Sequence, residues 1–372
     1  MRLALDGTPL LGNQTGIGLY TRRLMQQLAD PGRSGEQPAE VRATAFTLRG
    51  RNELAGRVPS GVSTRARPVP ARLLRASWAR WELPPVEWLC GRIDVFHGTN
   101  FVLPPTQHAR GVVTIHDLSF LRYPDTVTED SLRYQQLVPR SIARADVVCA
   151  LSHAMAEEIA AEYCVERAAI HVVEPGVDEA WFDARPPDPE TKRRLGLPRR
   201  YILAVGTLEP RKNLPLLIAA YGEWRASSTD VPGLVLIGPA GWGPQLDLES
   251  LPAGSVTTTG YLDEAVLRRV VAGASCVAFP SLYEGFGLPP VEALACGVPV
   301  VATDLPVTRE VLGDAARLVP RGDCDSLAAA LARECTATST AEQILQRRAR
   351  ARRWTWEACA QKAMSAYEAA LS

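Results

Sequence analysis

Residues 276–303 read CVAFPSLYEGFGLPPVEALACGVPVVAT, a strand–loop–helix–strand unit in one stretch. CVAFPS and VPVVAT are short apolar runs of the kind buried inside a parallel sheet. LYEGFG between them is a loop broken by Gly285 and Gly287, where backbone angles and close approaches closed to other residues become available. Pro289 and Pro290 suit the first turn of a helix, since an N–H there has no intrahelical partner. Glu284 stands in the loop and Glu292 one turn into the helix. Free N–H groups in such a loop and helix start favour anions. Two carboxylates beside an anion-friendly backbone suggest a ligand with both phosphate and hydroxyl groups, a description that a nucleotide sugar fits.

Outward from this stretch, the second half of the chain repeats the pattern. YILAVG, GLVLIG, SVTTTG and ARLVP are further strand runs, with helices at LDEAVLRRVVAGA and DSLAAALAREC. In the first half RLALDG, IDVFHG, GVVTIHD and ADVVCALS alternate with the helical runs GIGLYTRRLMQQLA, QLVPRSIAR and HAMAEEIAAEY. Alternation of this kind predicts an α/β fold with parallel, doubly wound sheets. Residues 170–192, IHVVEPGVDEAWFDARPPDPETK, turn rich in proline and charge and read as a linker. A chain of 372 residues exceeds the usual single core. Two Rossmann-like domains are therefore expected, over 1–182 and 183–355, followed by a last helix in 356–372. Residues 31–40 and 49–70 read as loops.

Composition narrows the class. Apolar content of 46% and charged content of 22% suit a soluble globular protein. Lys+Arg and Asp+Glu both total 41, which offers nothing to nucleic acid. No run approaches the ~20 apolar residues of a membrane span. The start, MRLALDGTPLL, turns polar too soon for a signal peptide, so cytoplasm is the expected compartment. Eight scattered cysteines without a C-x-x-C pair read as free thiols, not as a zinc site. Lysine occurs only at 192, 212 and 362, so arginine supplies 38 of the 41 basic residues, and a lysine kept at 212 hints at a site wanting a compact ammonium.

Doubly wound sheets bind ligands beyond the carboxyl ends of their strands. That rule gathers Gly206, Glu209, Arg211, Lys212 and Asn213 after YILAV, and Gly238–Gly243 after GLVLI. It adds Gly260, Tyr261 and Leu262 after SVTTT, and Ser281–Leu288 after CVAFP. Arg211 and Lys212 either put two adjacent cations at this crevice, able to neutralise a diphosphate leaving group without a metal, or form an exposed charged loop. No D-x-D metal motif is convincing, Asp323–Asp325 reading as a helix start, so no metal is expected. Glu292 suits ribose hydroxyls or, alternatively, a helix dipole. Glu284 is a ligand residue or an exposed loop acid. In the first half, Gly16 and Gly18 of TGIG bring backbone N–H groups to a ligand or simply form a tight turn. His116, ending GVVTI, meets a donor-sugar hydroxyl, orients an acceptor, or is satisfied within the fold.

Residues 72–92 carry Leu74, Trp78 and Trp81 at helical spacing, and residues 49–80 hold eight arginines against the single acid Glu53. Peripheral contact with an anionic membrane surface competes here with a core role for the tryptophans.

Together these pieces resemble the retaining glycosyltransferases of family 4, which have the GT-B architecture of two Rossmann-like domains facing a cleft. Glu284 and Glu292 look like that family's E-x7-E signature. VGTLEPRKNL and GYLDEAVL match its donor-site segments, and LDGTPLLGNQTGIGLYTRRL, VFHGTNFVLPP and VVTIHDLSF look similar to its mannosyltransferase-like branch. The resemblance covers nearly the whole chain. It implies that Arg211 and Lys212 hold the donor diphosphate and that Glu292 holds the ribose. It further implies that Glu284, with the backbone of Gly285, Phe286, Gly287 and Leu288, binds donor-sugar hydroxyls and phosphate, with Gly206, Gly238, Tyr261 and Leu262 around them. Gly16 and Gly18 would approach the diphosphate, His116 the donor sugar, and the last helix would cross back onto the first domain. The implied reaction is hexosyl transfer with retention, mannose from GDP-mannose as co-substrate, onto a glycan or lipid-linked acceptor, with no other cofactor. Family 4 glucosyl-, galactosyl- or rhamnosyltransferases using UDP- or dTDP-sugars are the near alternative. A GT-B-shaped epimerase or phosphorylase is the distant one.

Overall fold

The computed structural model describes residues 1–12, 15–30, 40–47, 51–69 and 71–372. The chain divides into two compact units, the first formed by Met1–Leu118, Arg133–Gly176 and Trp356–Ser372, the second by Ser119–Leu132 and Val177–Thr355. The main division thus falls after Gly176, ahead of the residue 183 expected from composition. Residues 119–132, expected with the first domain, are grouped with the second unit.

The first unit is built on β1 (Arg2–Asp6), β2 (Glu40–Phe46), β3 (Ser63–Arg67), β4 (Val95–Gly98), β5 (Arg110–Ile115), β6 (Val147–Ala150) and β7 (Ile170–Val172). Every pairing is parallel, in the order β3-β2-β1-β4-β5-β6-β7. Strands wind outward from β1 in one direction and from β4 in the other, so the switch point lies between β1 and β4. The helix Gly16–Leu28 follows β1, and its first turn is capped by Thr15, whose hydroxyl accepts the Gly18 N–H at 3.2 Å. The last helix, Trp356–Leu371, packs on Gly16–Leu28 and across β4 to β7. Its Tyr367 hydroxyl meets buried His97 Nδ1 at 2.8 Å, while His97 Nε2 meets Thr114 Oγ1 at 2.8 Å.

The loops expected over 49–70 are corrected in part. Arg51–Arg57 is helical and Ser63–Arg67 is β3, while residues 31–39, 49, 50 and 70 lie outside the described residues. β3 is an edge strand with largely exposed side chains, STRAR, so it carries no apolar alternation to announce it. Within the expected linker, β7 and the helices Glu179–Phe182 and Pro189–Leu195 form.

The second unit repeats the architecture with β8 (Tyr201–Val205), β9 (Gly233–Ile237), β10 (Val256–Gly260), β11 (Cys276–Phe279), β12 (Val300–Thr303) and β13 (Arg317–Val319). The order is β10-β9-β8-β11-β12-β13, again all parallel, with the switch between β8 and β11. Its core joins β8, β9 and β11 to the helices Leu214–Ser227 and Cys324–Thr336. The helix start expected at Asp323 forms, the Asp323 carboxylate accepting the Ser326 N–H at 2.9 Å.

Candidate donor site

The switch point of the second sheet is open. A crevice between the ends of β8 and β11 is lined by Gly206, Thr207, Leu208, Lys212, Phe279, Pro280 and Ser281, among others. Parallel strands splay apart here because their connections leave on opposite faces, which is why α/β sheets bind ligands at such points.

Four charged side chains crowd this end of the sheet. Lys212 Nζ contacts Glu284 Oε1 at 2.6 Å, Arg211 Nη1 contacts Glu284 Oε2 at 2.9 Å, and Arg211 Nη2 contacts Glu209 Oε1 at 2.6 Å. Arg211 Nη1 also donates to the Tyr283 carbonyl at 2.8 Å. Glu209 and Glu284 are 8% and 7% exposed. Burial acts to raise the Glu284 pKa, but Arg211 and Lys212 overcome it and hold the carboxyl at about 2. The Lys212 ammonium also lies over the Phe279 ring, 5.1 Å from its centroid. Local sequence explains the placement. Pro210–Lys212 is a single 3₁₀ turn ended by Asn213 in the left-handed conformation (φ 52°), so Arg211 and Lys212 sit on a short, rigid corner.

Glu292 has a different setting. It lies in the helix Leu288–Ala295, 8% exposed, where burial first and then Glu264 and Asp178 lift its pKa to about 8 against the opposing pull of Arg268. The two glutamates of the E-x7-E stretch are therefore in opposite states, one held ionised and the other held protonated. That helix starts after Gly287 (φ 96°) with no side-chain cap, and because Pro289 and Pro290 carry no N–H, Leu288 has the one backbone donor among its first three residues. Gly285 and Phe286 are buried behind it, Phe286 edge-on to Trp354 at 5.5 Å, while Leu288 is half-buried.

Gly206 (φ 144°) and Gly238 (φ 147°) stand directly after β8 and β9. A Cβ on Gly238 would sit 1.9 Å from the Gly206 carbonyl, and one on Gly206 would come 3.3 Å from Lys212 Cε. Gly238 must therefore lack a side chain because of the backbone crossing, and at Gly206 the positive φ is what favours glycine. Tyr261 is exposed and Leu262 half-buried just beyond β10.

The remaining candidates belong to the first unit. His116 is buried, its Nε2 is 2.7 Å from the Thr99 carbonyl, and Tyr20 and Phe101 meet its ring edge-on. Burial pushes its pKa down, keeping the imidazole neutral. Gly16 faces open space, whereas a Cβ on Gly18 would strike the Pro9 carbonyl at 2.7 Å. Contacts thus join Gly206, Arg211, Lys212 and Glu284 in one cluster. Glu292 has its own set of charged neighbours, Glu264, Asp178 and Arg268.

Sequence reasoning places Glu209 and Ser281 at the crevice and gives neither a role. Yet Glu209 pins Arg211, and buried Ser281 lines the crevice with no hydrogen-bond partner for its hydroxyl among the described residues. An acid two residues before an arginine and a hydroxyl at a strand end were the available signals. Among the described residues, no group of three or more histidine, cysteine or acidic side chains is arranged to hold a metal ion.

Residues 199–336 match the model described as "Glycosyl transferases group 1", and residues 15–181 match that described as "Glycosyltransferase Family 4". The chain is 30% identical to an O-antigen chain mannosyltransferase B of Escherichia coli over 282 residues, 74% of each chain. It is 27% identical to an O-antigen chain mannosyltransferase of Salmonella typhimurium, over 63% of this chain and 65% of that one. Among solved structures, a sucrose-phosphate synthase of Thermosynechococcus elongatus superposes with a TM-score of 0.71 at 20% identity, covering 99% of this chain and 98% of that one, a likeness of fold. The chain is a glycosyltransferase of family 4, with the two Rossmann-like units of the GT-B class.

Proposed function

We propose that this enzyme transfers a hexosyl group with retention of anomeric configuration, mannose from GDP-mannose, onto a glycan or lipid-linked acceptor in polysaccharide or glycolipid assembly. The observation that carries the donor half is the buried Glu209–Arg211–Glu284–Lys212 cluster at the β8/β11 switch point. Two cations fixed in a water-poor crevice neutralise a diphosphate as it leaves, with no reorganisation during reaction. In this reading metal is not required. Glu284 both fixes the two cations and presents its carboxylate to donor-sugar hydroxyls, and the backbone of Gly285 to Leu288 takes phosphate oxygens. Glu292 accepts ribose hydroxyls. The acceptor attacks from the leaving-group face.

The mannose assignment is supported by the E. coli and Salmonella relatives, both described as mannosyltransferases of O-antigen chains. A membrane-borne acceptor goes with peripheral contact through residues 72–92.

Thermal-shift measurements against GDP-mannose, UDP-glucose, UDP-N-acetylglucosamine and dTDP-rhamnose test the donor, because a ligand that binds only the folded state raises its melting temperature. GDP-mannose is expected to give the largest shift. A larger response to a UDP- or dTDP-sugar would reassign the enzyme within its family. Proton NMR of the product's anomeric signal tests retention. Transfer is expected to survive EDTA, and loss restored by manganese would overturn metal independence.

A further inference from the structure

Four of the nine large hydrophobic side chains standing exposed among the described residues fall within residues 73–88: Leu73 (68%), Trp81 (65%), Leu83 (54%) and Trp88 (67%). Apolar groups this exposed are ordinary when scattered and meaningful when gathered. The helix Ala71–Arg80 separates its two sides cleanly. Leu74 and Trp78 turn into the core, Trp78 edge-on to Phe46 at 5.4 Å, so the tryptophans do not share one outward face. Outward instead come Leu73, Ser77, Arg80 and Trp81, at the i, i+4, i+7, i+8 spacing of a single helical face. The Trp81 N–H donates to the Ser77 carbonyl at 2.8 Å, which carries the turn on to Trp81. The Ser77 hydroxyl and Trp78 Nε1 donate to the carbonyls of Leu83 and Pro84, fastening the Leu83 loop against that helix.

Charge follows the same surface. The Arg80 guanidinium lies 5.9 Å from the Trp81 ring centroid. Arg42 Nη1 and Arg67 Nε donate to the carbonyls of Cys90 and Leu89 at 2.7 and 3.2 Å, at the end of the short helix Glu87–Cys90 that bears Trp88. The acids of the segment are already engaged. Glu82 pairs with Arg144 at 3.0 Å, and Glu87 Oε1 accepts the N–H groups of Gln107, His108 and Ala109, each at 2.9 Å. The side chains of Arg72 and Arg75 lie outside the described residues.

Exposed indoles and leucines with arginines beside them suit the headgroup region of a bilayer, where rings enter the acyl boundary and guanidiniums meet phosphate. We propose that residues 73–88 dock this enzyme on an anionic bilayer, with Leu73, Trp81, Leu83 and Trp88 entering the interface and Arg80 meeting lipid phosphate. The inference deepens the reading of a membrane-borne acceptor and rests on it.

The full chain is sedimented with vesicles of phosphatidylcholine alone and of phosphatidylcholine with about a third phosphatidylglycerol. Partitioning is expected to be at least about tenfold greater on the anionic vesicles and to weaken as salt is raised. The fourfold variant Leu73→Ser, Trp81→Ser, Leu83→Ser, Trp88→Ser is expected to lose about tenfold or more, and Arg80→Glu a smaller part. Equal partitioning on both vesicles, or an unaffected fourfold variant, overturns the proposal. So does a variant that only converts a dimer to monomer, which would assign the surface to a second copy of the chain. Should the variant misfold, the wild type still decides: vesicles with brominated acyl chains are expected to quench its tryptophan emission, and no quenching overturns the docking. Sugar transfer in detergent without vesicle binding removes the docking alone. Vesicle binding with no nucleotide sugar recognised leaves the docking standing and removes the proposed function.

Discussion

At the scale of single residues, the two glutamates of one short stretch are driven apart by what surrounds them. Glu284 is neutralised by Arg211 and Lys212, and Glu292 lies near two further acids. Lys212→Ala is expected to lower turnover on the order of 10²–10³-fold, since it removes one preorganised charge from the leaving group. Glu284→Ala should do the same, but it also strands two buried cations, so Glu284→Gln is the cleaner variant. Full turnover in both would remove the donor site from this crevice. Protonation gives a second test. The folded protein keeps a proton on Glu292 up to about pH 8, whereas the unfolded chain releases it near the ordinary 4.5. Stability from this group therefore declines as pH rises across that window. Glu292→Gln should flatten the decline, so its melting temperature gains on the parent toward pH 8, and parallel curves would refute the assignment. Glu284 works in the opposite sense, its contribution present above 4.5 and lost as pH falls toward about 2. None of this was legible in the motif. Spacing identified both acids, but their charge states depend on Arg211, Lys212, Glu264 and Asp178, which come from other segments.

Secondary-structure elements divided by burial. Strands such as YILAV and CVAFP, whose residues are nearly all buried, were read correctly because an apolar run has little other way to fold. β3, an edge strand of mainly exposed residues, passed for a loop. The ends of β8 and β9 show a subtler case. Gly206 and Gly238 read as ligand-approach glycines, yet Gly238 is required first by the Gly206 carbonyl that crosses it. Gly238→Ala combines a clash at 1.9 Å with φ 147°, and is expected to destabilise by roughly 3 kcal/mol or more. A urea midpoint unchanged from the parent would show that the crossing can relax.

At the scale of the whole molecule, the chain passes between its two units after Leu118, Leu132, Gly176 and Thr355. The last helix supplies core to the first unit, with Cys359, Ala360, Ala363, Ala366 and Tyr367 all buried. A chain ending at Thr355 is therefore expected to lose the cooperative unfolding of its first unit while the second still melts, as calorimetry would show. Tyr367→Phe is the gentler probe. It leaves buried His97 Nδ1 without its 2.8 Å partner, and should cost about 1–3 kcal/mol. Two unaltered calorimetric transitions in the truncated chain would mean that this helix is dispensable.

By itself, the sequence determined two parallel α/β sheets, the ligand-binding strand ends and the residue types waiting there. Local periodicity, glycine and proline chemistry and strand polarity suffice for that. Tertiary structure alone decided that Glu209 pins Arg211, that Glu284 is ionised and Glu292 protonated, and that Trp78 is core while Trp81 faces water. Each of those depends on burial and on charges brought from distant segments, which no local pattern encodes.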